Sequence, residues 1–263
     1  MVLFRASALM LLAAANGAAA QADDEIVTDR PDFVESSNVV GKGRVQLETS
    51  VAVERNRDAQ FKERTLASPT LLRFGISDNL ELRIETDGRL VYRLDDRALG
   101  TRQTERGYAD TALGIKWHVQ DEQGAMPSLG VLLHADLDSG SAAFRGHGVR
   151  PSLRVAAEWE LPDEFALGVM PGIASDTDED GKRYTSAIFG IVLGKSWTPR
   201  WRTFVEVSAP HIARVRHGGT QASVDVGTAY LLSKRCQIDT AFSRGLNDRT
   251  ADFSWTVGFS IKL

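Results

Sequence analysis

The stretch "LLRFGISDNLELRIE", Leu71 to Glu85, decides how the chain is read. Leu72, Phe74, Ile76, Leu80, Leu82 and Ile84 fall on alternate positions, with Arg73, Gly75, Glu81, Arg83 and Glu85 between them. A strand sends successive side chains to opposite faces, so one face is apolar and the other charged. A soluble sandwich would turn the apolar face inward. A membrane barrel would turn it outward into lipid and line its interior with the charges.

The same alternation recurs in "RVQLETSVAVE", "ADTALGIKW", "SLGVLLHADL", "PSLRVAAEWEL", "FALGVMPGI", "SAIFGIVLGKSW", "WRTFVEV", "SVDVGTAYLL", "QIDTAFS" and "SWTVGFSIKL". A helical period is absent. The pattern predicts about twelve strands of roughly ten residues, each long enough to cross a bilayer at a tilt. Globular strands average about five or six residues. Trp117, Trp159, Trp197, Trp201 and Tyr230 stand near strand ends on the apolar face, as an interfacial aromatic girdle would.

Connections alternate in length. "SDN", "DEQGAMP", "LPDE", "WTPR" and "LSKR" are short, whereas Arg55–Arg64, Arg93–Arg106, Asp138–Arg150, Ser175–Arg183, Ala209–Thr220 and Gly245–Ala251 read as longer loops. Short periplasmic turns and long outer loops describe an outer-membrane barrel. The expected fold is therefore all-β, an antiparallel transmembrane β-barrel of about twelve strands in an up-and-down meander.

The N-terminus supports export. Arg5 precedes the apolar "ASALMLLAAA", and "GAAAQA" carries small residues at cleavage spacing, so residues 1–22 read as a cleaved secretory signal. Residues 23–42 then form a periplasmic or lumen-plugging segment, and residues 43–263 the barrel. About 240 residues remain, a size that suits one large all-β domain. Cys236 is the single cysteine, which excludes an intramolecular disulfide. The net charge of −4, with arginines interleaved among carboxylates, carries no nucleic-acid footprint.

By alternation, the expected lumen-lining residues are Arg44, Glu48, Arg73, Glu81, Arg83, Glu85, Asp110, Lys116, Asp136, Arg154, Glu158, Arg202, Glu206, Asp225 and Asp239. Lys262, Glu54 and Glu160 fall on the same face. Mixed signs across a narrow lumen favour ion-pair networks, because an unpaired buried charge is costly. In "TDRPDFVESS", residues Asp29, Arg30, Pro31, Asp32, Phe33 and Glu35 are candidate plug residues. Arg30 would pair with wall carboxylates, while Phe33 and Val34 need a dry seat.

The segments "IVTDRPDFVESSNVVGKGRVQLET", "SPTLLRFGISDNLELRIE", "YADTALGIKW" and "VDVGTAYLLSKRCQIDTAFSRGLN" resemble a family of outer-membrane transporters. That family is named for the meta-pathway of phenol degradation. The resemblance spans most of the mature chain. It implies a signal-bearing barrel with a role in uptake of aromatic or other small hydrophobic compounds. One departure is the terminal Leu263, where such barrels commonly end in an aromatic.

The expected function is a passive channel for small hydrophobic or aromatic solutes in the outer membrane of a Gram-negative bacterium. The alternative is a closed barrel with a structural or surface-binding role. Implied partners are outer-membrane lipid, lipopolysaccharide, the barrel-assembly machinery and a small solute, with no nucleic acid and no cofactor. An enzyme is not expected: His134, Asp136, Ser139 and Ser141 lie close in sequence, yet no G-x-S-x-G motif is present. No metal site is expected either, since the acidic "SDTDEDGK" lacks the distal Glu of a calcium loop.

Overall fold

The structure, a computed structural model, describes residues 25–178 and 180–263. The expected signal at 1–22 lies outside the described residues. Fifteen strands are present among them: β1 (Val45–Arg57), β2 (Phe61–Ala67), β3 (Thr70–Gly75), β4 (Leu80–Thr86), β5 (Arg89–Asp96), β6 (Thr101–Tyr108), β7 (Thr111–Gln120), β8 (Ser128–Asp136), β9 (Arg150–Leu161), β10 (Phe165–Thr177), β11 (Arg183–Thr198), β12 (Trp201–Ile212), β13 (Thr220–Ser233), β14 (Cys236–Gly245) and β15 (Phe253–Lys262).

All pair antiparallel in one sheet, and β15 returns to β1 in register from Gln46↔Lys262 to Arg55↔Phe253. Closure satisfies the backbone of both outermost strands, which lipid would otherwise leave without hydrogen-bond partners. β2 with β3, β4 with β5, and β6 with β7 are three single crossings, each interrupted once, so the barrel has twelve crossings.

The interruptions fall side by side. Pro69 follows Ser68, Gly88 adopts a left-handed φ of 66°, and Ala109–Asp110 separate β6 from β7. Ser68 N–H donates to Asp87 O at 3.0 Å, and Ala109 N–H to Gly88 O at 2.9 Å. A Cβ at Gly88 would strike the Ser68 carbonyl and hydroxyl. One line of kinks therefore crosses three neighbouring strands.

Beyond that line the structure corrects the reading of the connections. Arg55–Arg64 and Arg93–Arg106 are not loops. β1 pairs with β2 as far as Arg57↔Lys62, and β5 with β6 as far as Asp96↔Thr101, leaving only 58–60 and 97–100 as turns. The reason is that a two-stranded ribbon exposed on both faces shows no polar–apolar contrast between faces. All of β6 from Thr101 to Arg106 is solvent-exposed, so its polar sequence carried no membrane alternation.

The outer surface is apolar. Leu82, Ile84, Leu113, Ile115, Leu133, Leu193, Val205, Phe242 and Val257 are exposed, each flanked by buried or half-buried neighbours. Trp117, Trp159, Trp197, Trp201 and Tyr230 gather at the rim that carries the short turns, with Trp197 and Trp201 stacked at 5.9 Å. Phe242, Phe253 and Trp255 cluster at the opposite rim. Indole N–H groups find oxygens nearby, including Trp201 to Thr228 Oγ1 at 2.8 Å and Trp255 to Thr240 Oγ1 at 2.9 Å. Such amphipathic rings suit a membrane–water boundary.

Ile84 lies on the lipid face at mid-strand. Replacing it by arginine should destabilise the folded barrel by about 2–4 kcal/mol in lipid-based chemical denaturation. Leu99→Arg, in the exposed 97–100 turn, should change stability by less than about 0.5 kcal/mol in the same assay.

Candidate functional site: a charged lumen and the segment inside it

The interior holds residues 26–40. The segment starts at the short-turn rim, where Ile26 N–H donates to Lys234 O at 2.7 Å. It runs inward to Pro31 and Phe33, then returns past Val40 to enter β1. Arg30–Pro31 is a cis peptide.

On one wall, β3, β4 and β7 place Arg73, Arg83 and Lys116 on the inward register, all essentially inaccessible to solvent. The wall supplies Glu48 and Glu81 as partners: Arg73 Nε meets Glu81 Oε1 at 2.8 Å and its Nη1 meets Glu48 Oε1 at 3.0 Å. Those two carboxylates do not balance three cations. Asp29 of the segment completes the set, with Arg83 Nη1 at 2.6 Å, Lys116 Nζ at 2.7 Å and Arg73 Nη1 at 3.4 Å. Glu35 adds contacts to Arg83 at 2.6 Å and Arg154 at 2.7 Å. Burial pushes both segment carboxyls towards protonation, but the surrounding guanidinium and ammonium groups outweigh it. Asp29 is held far below the usual carboxylate range, and Glu35 is lowered to about 2.

The wall also binds the segment's backbone. Glu206 accepts from the N–H groups of Phe33 at 2.8 Å and Val34 at 2.7 Å. Glu158 accepts from Ser37 N–H at 2.6 Å, Glu81 from Val40 N–H at 2.9 Å, and Glu48 from Asp29 N–H at 3.0 Å. In the other direction, Arg73 donates to Val27 O and Asn38 O, and Lys116 to Ser36 O. Arg202 contacts Asp32 at 3.1 Å, and Arg30 lies 3.5 Å from Asp239.

The opposite wall is different. Met170, Ile188, Val192, Phe204 and Ala241 are buried towards the lumen, and Val34 packs among Met170, Val192, Phe204 and Ala241 with Phe33 against them. Glycines open the seat. A Cβ at Gly190 would lie 2.7 Å from Val34 Cγ2 and 2.9 Å from Phe33 Cδ1, and one at Gly130 would lie 2.8 Å from Ser37 Cα.

The sequence-derived positions distribute as follows. Glu48, Arg73, Glu81, Arg83, Lys116, Arg154, Glu158, Arg202, Glu206 and Asp239 meet the segment or its immediate partners. Asp225 instead accepts from Ser208 and Ser223 further along the lumen. Asp110 and Asp136 lie beyond the segment, facing the rim of longer connections, whereas Glu85 lines both that space and one it shares with Asp29, Phe33 and Glu35. Asp110 is structural there, accepting from the amides of Gly140 and Gly146 and from Arg150. Arg44 stands just before β1 at the short-turn rim, where its N–H donates to Gly41 O.

His134 and Asp136 do not form a hydrolytic set with the nearby serines. Ser139 Oγ accepts from Thr111 N–H, and Ser141 Oγ from Tyr108 N–H, each at 2.9 Å. Alternation missed the apolar inner wall, although "AIFGIVL" is apolar on both registers and carried that signal.

A closed antiparallel barrel, apolar outside and charged inside, is an outer-membrane-type β-barrel. The chain belongs to the family described as "Putative MetA-pathway of phenol degradation", whose model it matches over residues 28–263. No curated protein matches it in sequence. Among solved structures it is similar to the COG4313 outer membrane channel of Pseudomonas putida F1, with a TM-score of 0.65 and 13% identity, over 89% of this chain and 99% of that one. The NanC porin aligns with a TM-score of 0.50 at 12% identity, over 82% of this chain and 100% of that chain. The transport unit of the autotransporter AIDA-I from Escherichia coli aligns with a TM-score of 0.50 at 12% identity, over 88% of this chain and 93% of its own. These likenesses establish the fold.

The seat of the segment can be probed chemically. In a Cys236→Ser background, a cysteine at position 34 should react slowly with a water-soluble thiol reagent. Adding Gly190→Leu fills the space that Phe33 and Val34 occupy and should raise the labelling rate at least about tenfold, a shift of ~1.4 kcal/mol in the docking equilibrium.

Proposed function

We propose that the protein is an outer-membrane channel for small hydrophobic or aromatic compounds whose lumen is held shut by its own N-terminal segment. The observation that supports this most directly is the segment's attachment, in which Asp29 neutralises Arg73, Arg83 and Lys116 from inside the barrel. Removing a partner from such a buried set leaves charge without compensation, which strongly favours the docked state. The family to which the chain belongs, named for phenol degradation, supports an aromatic cargo. So does the printed identity of the Pseudomonas putida neighbour as an outer membrane channel.

The apolar inner wall around Met170, Val192 and Phe204 gives such a solute a surface to follow once Phe33 and Val34 withdraw. On this reading the protein carries no catalytic centre. It resides in the outer membrane of a Gram-negative bacterium, reaches it through an export signal and the barrel-assembly machinery, and contacts lipid and lipopolysaccharide. A second reading, a closed barrel with a structural or surface-binding role, draws on the density of the lumen network, which ties the segment to both walls.

Deleting residues 28–38 separates the two. As a gated channel, the deletion protein should show at least a severalfold rise in single-channel conductance in planar bilayers and faster liposome swelling with small neutral solutes. Conductance equal to that of the full chain, in a variant that retains the heat-modifiable gel mobility of a folded barrel, favours the closed structural reading.

A further inference from the structure

The strand segments that rise past the line of kinks sort their charges by face. On the outward register, β1, β2 and β5 carry Val53, Leu66 and Val91 directly across from one another, beside Trp255 of β15. This row ends the lipid-facing belt, and Phe242, Phe253 and Trp255 cluster beside it. Two residues further out, the next outward row is Arg55, Arg64 and Arg93, again directly opposed as Arg55↔Arg64 and Arg64↔Arg93. The row after it holds Arg57, Lys62, Asp95 and Arg102, and Arg106 stands opposite Val91 at the side. All seven cations are exposed. Asp95, the carboxylate of this face, meets Arg102 at 2.5 Å.

The inward register of the same segments is the reverse. Glu54, Glu63, Asp96 and Glu105 occupy it, and no cation among the described residues stands with them. Glu63 is held there by Asn56 Nδ2 at 3.2 Å and the Tyr92 hydroxyl at 2.9 Å. Like charges directly opposite across antiparallel strands are destabilising, whereas opposite charges there stabilise. Mixing the signs on each face would be the favourable arrangement in water. Three arginines abreast within about 10 Å repel one another, and a surface that supplies anions relieves the repulsion.

We infer that this outward face is a docking surface for the multiply phosphorylated headgroup of lipopolysaccharide. Two observations commit it to that occupant. The basic rows continue the lipid belt, one register step beyond its last apolar row, at the level where headgroup phosphates lie. Their charge also complements a headgroup that carries several phosphates in a small area. Six of the seven cations are arginine, whose planar fork binds phosphate through paired N–H groups. A zwitterionic phospholipid brings its own cation beside each phosphate and gains less. A soluble phosphate lacks the acyl chains that lie along Val53, Leu66 and Val91. The inference rests on the outer-membrane placement proposed above, which puts the rim of longer connections in the outer leaflet, and not on conduction.

The test titrates the mature chain in detergent micelles by native mass spectrometry. The probes are diphosphoryl lipid A, the same lipid with both phosphates removed, and phosphatidylcholine, with inorganic pyrophosphate as a soluble competitor. Diphosphoryl lipid A should bind at least about tenfold more tightly than the other two lipids, and equimolar pyrophosphate should leave most of it bound. Arg55→Gln/Arg64→Gln/Arg93→Gln should remove that preference. Arg145→Gln/Arg214→Gln/Arg216→Gln, of the same net charge but placed in outer loops, should keep it. All six positions are exposed, so both variants should retain heat-modifiable mobility. Arg64→Glu, at the centre of the row, should also abolish the preference, so that either folded variant of the row suffices. Equal binding of the three lipids, equal loss in the row and loop variants, or displacement by equimolar pyrophosphate overturns the inference. Bilayer conductance reads the channel separately. Conduction without lipid A preference defeats only this inference, and preference without conduction defeats only the channel.

Discussion

Three cations on one wall of a narrow barrel set the terms for everything else inside it. Arg73, Arg83 and Lys116 point inward from neighbouring strands, removed from water, with Glu48 and Glu81 as the wall carboxylates in contact with the two arginines. Desolvating a charge costs several kcal/mol unless a partner compensates it. The compensation comes from Asp29 and Glu35, carried in by a segment that has no secondary structure of its own. Wall and segment are therefore one electrostatic unit.

That unit explains the asymmetry of the lumen. Strands β1, β3, β4 and β7 bring the charges, while β10, β11, β12 and β14 bring Met170, Val192, Phe204 and Ala241 with glycines between them. The segment faces both ways, with carboxylates turned to the cations and Phe33 and Val34 turned to the apolar side. Each wall fits one half of it. Beyond its tip the lining changes again, to Asp110, Asp136 and His134.

The crossing strands were legible in the sequence because lipid outside and charge inside impose opposite demands on neighbouring residues. "LLRFGISDNLELRIE" shows that demand plainly, and Arg73, Glu81 and Arg83 stand on the inward register there. Alternation reports a difference between faces, however, and is silent where both faces are apolar. Ile188 and Val192 face the lumen with the lipid-facing Phe189 and Ile191 between them in sequence, and no polar–apolar period separates the two faces. It is equally silent where both faces are polar, which is why the ribbon of β1, β2, β5 and β6 read as loop. The line of kinks had its punctuation in Pro69 and Gly88, but their alignment across strands depends on register. The pairings of Asp29 and Glu35 join positions as far apart in the chain as Glu35 and Arg154, and local pattern carries no such information.

The manner in which the wall holds the segment has an evolutionary consequence. Glu48, Glu81, Glu158 and Glu206 take hold of main-chain N–H groups, which every residue except proline possesses. Such a grip is blind to side-chain identity. Substitution along the segment is therefore constrained at Asp29 and Glu35 by charge and at Phe33 and Val34 by shape. Exposed positions such as Val27 and Asn38 can drift while the strand-borne glutamates keep the same hold. Divergence between relatives should accordingly concentrate in the guest and spare its host.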